Sequence, residues 1–180
     1  MKTCLILLED GFEECEALIT HDILTRSGQI KVDLVGNKEI ITTSMGVKIH
    51  TNRLLKDVIT DEYDFMVLPG GKIGVDNISS NKDDIALIKE MISKGKHVHA
   101  ICAAPSILID IKYLDDKNFT CYPGFQRDNK NWQNEGSVID KNTVTGRSMG
   151  YSIEFAKNIV RLEVNEQCLA KIDKGIFGLE

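Results

Sequence analysis

Apolar runs of strand length alternate with segments of helical periodicity along most of the chain. Strands are predicted at 3–8, 31–36, 64–71 (broken at Pro69) and 97–101, and the first is a continuous apolar run, typical of a strand buried on both faces of a parallel sheet. Helices are predicted between and after them: 14–27, 81–95, 149–162 and roughly 164–173. This alternation predicts an α/β fold, a doubly wound and mostly parallel central sheet with helices on both faces.

Shorter features complete the predicted architecture. Alternating β-branched residues around Ser44–Gly46 predict a hairpin over residues 39–50. Short strands are expected at 119–122, 136–140 and 143–146, toward one edge of the sheet. The chain contains no internal repeat, low-complexity tract or Pro/Gly/Ser-rich linker. We therefore expect one domain that spans residues 1–180.

The charge pattern narrows the class of partner. The chain has 22 basic and 27 acidic residues, a net charge of −5, and no run of five basic residues, so no nucleic-acid partner is expected. No apolar run approaches the roughly 18 residues of a membrane span, and the first residues predict a strand rather than a secretory signal. We expect a cytoplasmic protein that does not contact a membrane.

The five cysteines fit a reducing compartment, because they are odd in number and lack the spacing of a disulfide framework. No CxxC pair and no grouping of histidine with cysteine has zinc-ligand spacing, so no metal site is expected. Four of the cysteines are expected to pack inside strands or helices: Cys4, Cys15, Cys121 and Cys168. His97 and His99 share one face of a strand and are expected to be structural.

Cys102 stands between a predicted strand, HVHAI, and a predicted helix. At such a turn a thiol lies beside unpaired helix N–H groups and the positive end of the helix dipole, which favour thiolate and lower the pKa. Ala103 and Ala104 allow a tight turn that leaves the sulfur accessible, and Pro105 suits a first helical turn. The alternative is a buried cysteine that merely ends a strand.

Two other strand ends carry residues suited to a site at the carboxyl edge of a parallel sheet. In LPGG, Gly70 and Gly71 would let a ligand approach backbone amides that could stabilise an oxyanion, although a tight turn explains the pair equally well. In GFEECE, Glu13, Glu14 and Glu16 all suit the positive end of a helix. A carboxyl that faces a thiolate would instead stay protonated and donate a hydrogen bond. The sequence does not show which glutamate points inward.

Together these segments resemble the ThiJ/PfpI family, a flavodoxin-like group related to class I glutamine amidotransferase domains. The resemblance runs along nearly the whole chain, through LEDGFEECEA, YDFMVLPGG, AICAAPSIL, CYPGF and TGRSMGYSIEFA. The combination of AICAAP with LPGG and GFEECE is specific to this family, whereas each motif alone is not. The chain is most similar to the branch that holds the parkinsonism-associated protein deglycase and bacterial ThiJ-like proteins.

The resemblance implies a role for each site residue. The nucleophile falls on Cys102, and its protonated acidic partner falls on Glu16. The amides that stabilise an oxyanion fall on Gly71 and Ala103. Further pocket residues are implied at Gly70, Tyr122, Arg147 and Arg26. Relatives form homodimers with the pocket near the interface, so Arg26 could contribute from a second copy.

The chain departs from the family pattern at two places, of which the first bears on the chemistry and the second on the pocket rim. Tyr122, in CYP, stands where many members place a histidine, and its phenol is a poor base at neutral pH. SMG at 148–150 replaces the GPG of several relatives at the pocket rim. Ala103 follows the cysteine where the protease-like branch has histidine, so a Cys–His peptidase is not expected.

The resemblance implies a cofactor-free, glyoxalase- or deglycase-like enzyme acting on small dicarbonyls such as methylglyoxal. In that reading the Cys102 thiolate attacks the carbonyl and Glu16 moves a proton. The alternative is an oxidative-stress sensor or protective protein whose Cys102 oxidises to sulfinate without turnover. Both readings use the same residues, so the sequence does not separate a carbonyl substrate from an oxidant. A nucleotide-binding module is disfavoured, because the EDGFEE turn is acidic and lacks GxGxxG.

Overall fold

The predicted strands form the centre of a seven-stranded sheet in a computed structural model, which describes residues 1–179. The strands of the chain are β1 (Lys2–Leu8), β2 (Ile30–Gly36), β3 (Ile40–Thr42), β4 (Lys48–His50), β5 (Arg53–Leu54), β6 (Phe65–Leu68), β7 (His97–Ile101), β8 (Ser137–Asp140) and β9 (Thr143–Gly146). The large sheet has the order β5-β2-β1-β6-β7-β9-β8, and β8 alone runs antiparallel to its neighbour. Strands β3 and β4 form the predicted hairpin.

Helices cover both faces of this sheet. They are α1 (Glu14–Arg26), α2 (Lys72–Ser80), α3 (Lys82–Ser93), α4 (Pro105–Asp110), α5 (Ser152–Glu163) and α6 (Gln167–Phe177). Alternate residues of β1 enter two separate cores, with Ile6 packed on the α1, α5 and α6 side and Leu7 on the α2, α3 and α4 side. A central strand buried on both faces is expected to be a continuous apolar run, as Cys4–Leu8 of β1 is. The predicted flavodoxin-like α/β fold is confirmed.

The structure differs from the predicted elements at one strand and one helix. Residues 119–122 do not form a strand, because only Phe119 makes a bridge, to Trp132. The amide of Thr120 instead donates to the Thr145 hydroxyl, at 2.9 Å, so its hydrogen bond lies outside any ladder. Cys121 therefore lies in a loop, although its side chain is buried as expected. Helix α2 was not predicted, because its nine residues include a glycine and several β-branched side chains of low helix propensity.

The neighbouring strands β1, β6 and β7 bring their carboxyl ends to one edge of the sheet. The three turns that follow these strands are the ones the sequence singles out: 9–13, 69–71 and 102–104. Because these strands are neighbours in the sheet, the three turns lie side by side. Within residues 1–179, no helix is long and apolar enough to cross a membrane.

Candidate active site

Cys102 occupies a sharp turn between β7 and α4. Its φ is +65°, a left-handed conformation that costs a non-glycine residue energy and that glycine would adopt freely. Two backbone hydrogen bonds hold it, from the Cys102 amide to the Gly146 carbonyl (2.9 Å) and from the Tyr122 amide to the Cys102 carbonyl (2.7 Å). The strained position projects the thiol at the carboxyl edge of the sheet, as a nucleophile elbow does.

Glu16 reaches the same place from the first turn of α1. Its side chain is fully buried, and its Oε2 accepts a hydrogen bond from the Gly70 amide at 2.7 Å. The Gly70 carbonyl in turn accepts from the Glu13 amide at 3.0 Å, which fixes the two turns to each other. The carboxyl of Glu16 also faces the Cys102 thiol, and each of the two groups shifts the pKa of the other. The structure thus selects Glu16 as the inward-pointing glutamate.

Burial dominates the protonation of this pair. It raises the pKa of Glu16 to about 7, against hydrogen bonds from Cys102 and Gly70 that lower it. Burial and the Glu16 carboxylate raise the pKa of Cys102, and only the amides of Gly71 and Ala103 lower it. The predicted lowering of the thiol pKa is therefore wrong beside an ionised Glu16. A thiolate at Cys102 is favoured only when Glu16 holds a proton, because the two negative charges otherwise repel.

The close approach of these turns requires glycine at both Gly70 and Gly71. A Cβ on Gly70 would lie 2.6 Å from both the Cys102 Cβ and the Glu16 Oε2. A Cβ on Gly71 would lie 2.4 Å from the Gly11 carbonyl oxygen, and its φ of +87° is open mainly to glycine. The LPGG motif therefore does more than turn the chain, because it lets the acid and the thiol meet.

A pocket of about 320 Å³ opens above the thiol. Its lining residues are Glu13, Glu16, Gly71, Cys102, Tyr122, Ser148, Met149 and Gly150. Sequence reasoning named Tyr122 for this pocket and gave SMG (148–150) as its rim, and the structure places both there. It did not assign Glu13, whose charge the helix dipole explains equally well in the sequence alone. A contact between Glu13 and Ser44 of the distant hairpin, at 3.0 Å, identifies this side chain only in three dimensions.

The two arginines predicted for the pocket do not line it in this chain. Arg147 follows β9, and its amide donates to the Gly136 carbonyl at 2.9 Å, beside the rim residue Ser148. Arg26 lies in the last turn of α1 and pairs with Asp22. Ten helical residues, about 15 Å, separate it from Glu16. A contribution from a second copy stays a prediction.

A second polar cluster lies at the opposite end of β7. His97 Nδ1 and His99 Nε2 lie 2.5 and 3.2 Å from the same oxygen of Glu163, and Lys2 binds the other oxygen at 2.7 Å. These ligand-type atoms are close enough to suggest a metal site. However, His99 Nδ1 accepts from the Val144 amide, so the ring proton sits on the Nε2 that faces Glu163. His99 thus donates to the carboxylate, and the cluster is the structural hydrogen-bond network expected of these histidines.

The fold and the strained cysteine define a class of protein, flavodoxin-like α/β proteins with a thiol at a strand-to-helix elbow and a buried carboxyl beside it. The model of the DJ-1/PfpI family matches residues 2–162. The chain belongs to the DJ-1/PfpI family, which is the family that its sequence motifs indicate.

Individual relatives agree with this assignment. Protein dj-1beta of Drosophila melanogaster is 32% identical over 98% of this chain and 97% of its own length. A crystal structure of Drosophila melanogaster DJ-1beta matches with a TM-score of 0.91 and 31% identity, over 98% of this chain and 97% of that one. A protein of Pyrococcus abyssi named as a deglycase is 31% identical over 88% of this chain and 97% of its length. A solved structure of oxidized Toxoplasma gondii DJ-1 matches with a TM-score of 0.89 and 26% identity, covering 98% of both chains.

Proposed function

We propose that the protein is a cofactor-free, cysteine-dependent enzyme that converts small 2-oxoaldehydes such as methylglyoxal to 2-hydroxy acids, or releases their adducts. The observation that carries this proposal is the contact of a buried carboxyl, with a pKa of about 7, and an elbow thiol beside two backbone amides. Such a carboxyl can both give and take a proton near neutral pH. Family relatives that are named as deglycases support the same reaction class.

The proposed reaction uses one proton shuttle. The Cys102 thiolate adds to the aldehyde carbon, and the amides of Gly71 and Ala103 stabilise the oxyanion until the Glu16 proton neutralises it. The Glu16 carboxylate then removes the proton from C1 of the hemithioacetal and delivers a proton to C2, while the proton of the C1 hydroxyl passes to the C2 oxygen. The product of this internal oxidation and reduction is a thioester. Water cleaves the thioester to release the hydroxy acid and regenerate the thiol.

The test is lactate formation from methylglyoxal by the purified protein beside three variants. Cys102→Ser should abolish turnover, and Glu16→Gln should lower kcat by at least roughly 100-fold, the usual size of a general acid–base contribution. Cys15→Ser is the matched control, since Cys15 is a half-buried thiol one residue from Glu16 that does not line the pocket. Turnover by Cys102→Ser equal to the wild-type rate would overturn the proposal.

A second candidate function has its own observation. Oε1 of Glu16 is buried without a hydrogen-bond partner, on a carboxyl that faces the Cys102 thiol. We propose as the alternative that Cys102 is a redox sensor: two molecules of peroxide oxidise the thiolate to sulfinate and leave as water, and the protonated Glu16 donates to a sulfinate oxygen. The solved Toxoplasma gondii relative is described as oxidized. Mass spectrometry should find two added oxygens on the Cys102 peptide of the wild type after peroxide treatment. A Cys102 sulfinate that is less stable in Glu16→Gln would support this function, and equal oxidation of Cys15 would contradict it.

We further propose a homodimer, as the resemblance implies. A groove of about 310 Å³ between α1, α5 and α6 is lined almost entirely by apolar side chains, including Leu18, Ile153 and Ile176. Leu18 and Ile153 are exposed in the single chain, although both are large and apolar. Ile153→Lys should yield a monomer by light scattering, whereas Ile59→Lys, on another exposed surface, should leave the mass unchanged. A wild-type monomer at micromolar concentration would contradict this proposal.

A further inference from the structure

Glu13 is held over the mouth of the pocket by two elements. It is the N-cap of α1, where its Oε1 accepts a long hydrogen bond from the Cys15 amide at 3.4 Å. Its Oε2 accepts from the hydroxyl of Ser44, in the turn of the β3–β4 hairpin, at 3.0 Å. The same side chain lines the pocket that contains Cys102. A carboxylate with two donors and a fixed backbone is a rigid negative charge at the entrance.

The remaining lining does not balance this charge. Among residues 1–179, no lysine, arginine or histidine side chain lines the pocket. Inside it, the buried Oε1 of Glu16 has no hydrogen-bond partner and could accept a proton from a ligand. The charge of Glu13 also reaches Glu16, since it contributes to the raised pKa of that carboxyl. A ligand near the thiol therefore meets two carboxyl groups and no cationic side chain.

We propose that Glu13 is a specificity-determining residue that selects the pocket's ligands by charge. The pocket accepts carbonyl compounds that are uncharged or carry a positive group, such as an ammonium, and rejects compounds that carry a carboxylate. For turnover, this inference rests on the proposed function. During turnover the charge of Glu13 has a second consequence, because a neutral dicarbonyl enters the pocket and an anionic hydroxy acid leaves it. The Glu13 carboxylate repels the product and favours its release.

The competing explanation is that Glu13 only caps α1. The adjacent Glu14 provides the matched control for it. Glu14 has the same charge and also accepts from the Ser44 hydroxyl, at 3.2 Å, but it does not line the pocket. Glu13→Gln and Glu14→Gln change the net charge of the protein equally. Glutamine also keeps an oxygen that Ser44 can donate to, so neither variant should unfold the hairpin turn.

The first test needs no turnover. Two methanethiosulfonate reagents of similar length, one with a trimethylammonium group and one with a sulfonate group, are reacted with the wild type and both variants. The rate of Cys102 modification is followed by peptide mass spectrometry. The cation-to-anion rate ratio at Cys102 should fall about three- to tenfold in Glu13→Gln, the size expected for one nearby charge at a partly screened site. It should stay within about twofold of wild type in Glu14→Gln. Equal ratios in both variants would overturn the inference.

The second test uses the reaction itself. Product inhibition of methylglyoxal turnover by lactate should strengthen about three- to tenfold in Glu13→Gln and stay unchanged in Glu14→Gln. Unchanged inhibition in Glu13→Gln would contradict a role in product release. The enzyme proposal and the charge-selection proposal can therefore be refuted independently of each other. Charge selection at the thiol without any turnover removes the enzyme proposal and supports the selection, whereas turnover without charge selection overturns the selection alone.

Discussion

Glu16 and Glu163 are two buried glutamates in one molecule with opposite protonation. Glu163 lies in the last turn of α5, where burial would raise its pKa, but hydrogen bonds from His97, His99 and Lys2 hold the pKa well below its usual range. Glu16 receives one backbone hydrogen bond and faces a thiol, so burial prevails and raises its pKa to about 7. Burial is common to both residues. The number and charge of the donors decide which glutamate can exchange a proton near neutral pH.

The same difference in hydrogen-bond donors distinguishes a structural glutamate, Glu163, from one suited to catalysis, Glu16. Glu163 of α5 binds the ammonium group of Lys2 in β1 and the imidazole rings of His97 and His99 in β7. These contacts keep its carboxylate ionised and connect the three elements. Glu16 keeps one oxygen free of any donor beside a strained cysteine. An underused acceptor in a buried place costs stability, and such costs are typical of functional sites.

The largest effect is expected at the cluster around Glu163. Glu163→Gln should lower the free energy of unfolding by roughly 3 kcal/mol, because Lys2 and the two histidines lose their buried anion. Guanidinium denaturation at pH 7 measures this loss. The control is Glu62→Gln, which removes the exposed ion pair with Arg53 and should cost less than about 1 kcal/mol. Equal losses in the two variants would refute the structural role of the cluster.

The next effect concerns the site rather than stability. Gly70→Ala should lower kcat/KM for methylglyoxal roughly 100-fold, because the new methyl group would push Cys102 and Glu16 apart. Gly150→Ala is the matched control. Gly150 lines the same pocket, but a Cβ there meets nothing within 4 Å, so activity should be retained. Full activity in Gly70→Ala would show that the contact between the acid and the thiol is not required.

The contributions of Glu16 and Glu163 to the free energy of unfolding should change with pH in opposite directions. Native Glu16 binds its proton up to about pH 7, against about 4.5 when unfolded, so its contribution is complete below pH 4.5 and is lost as the pH rises to 7. The slope of that loss approaches about 1.4 kcal/mol per pH unit at most. Glu163 behaves in the opposite way, because its lowered pKa stabilises the protein above pH 4.5 and the benefit is lost on acidification.

Unfolding free energies of wild type and Glu16→Gln between pH 5 and 7.5 test this sign. The advantage of the wild type over Glu16→Gln should shrink as the pH rises. The comparison must be made between variants, because Asp84 has a pKa that burial and Glu9 raise to about 8 and gives the same sign of slope. A wild-type advantage that grows with pH would mean that Glu16 is ionised in the native protein.

The sequence predicts well the features that local pattern determines. The run Cys4–Leu8 of β1 is continuous and apolar, and this pattern is typical of a strand buried on both faces of a sheet. The turn at Cys102 follows from its place between a strand and Pro105, which begins α4. The hairpin at 39–50 and the doubly wound fold class also follow from periodicity and turn residues, whereas the order of the strands comes from the structure.

The features that the sequence misses depend on contacts between distant segments. Glu13 and Glu16 both suit a helix N-terminus, and only the packing of the LPGG turn against α1 shows which one meets the thiol. The raised pKa of Cys102 follows from burial beside a carboxyl, which outweighs the amides that the turn supplies. Arg147 was assigned to the pocket by resemblance, and its position in a motif does not show where its side chain lies.

The smallest effect is expected at Tyr122, the residue that replaces a histidine of many relatives. Its backbone amide, not its ring, anchors the Cys102 turn, and its half-exposed ring packs edge-on against Phe125 with centroids 6.3 Å apart. The proton shuttle lies on Glu16, so Tyr122→Phe should change kcat/KM by less than about threefold, or roughly 0.7 kcal/mol in activation free energy. Steady-state kinetics with methylglyoxal measures this. A loss of tenfold or more would show that the phenol contacts the reacting carbonyl. The comparison of Glu16, which exchanges a proton, with Glu163, which stays ionised, would then have to include Tyr122 as a third ionisable group.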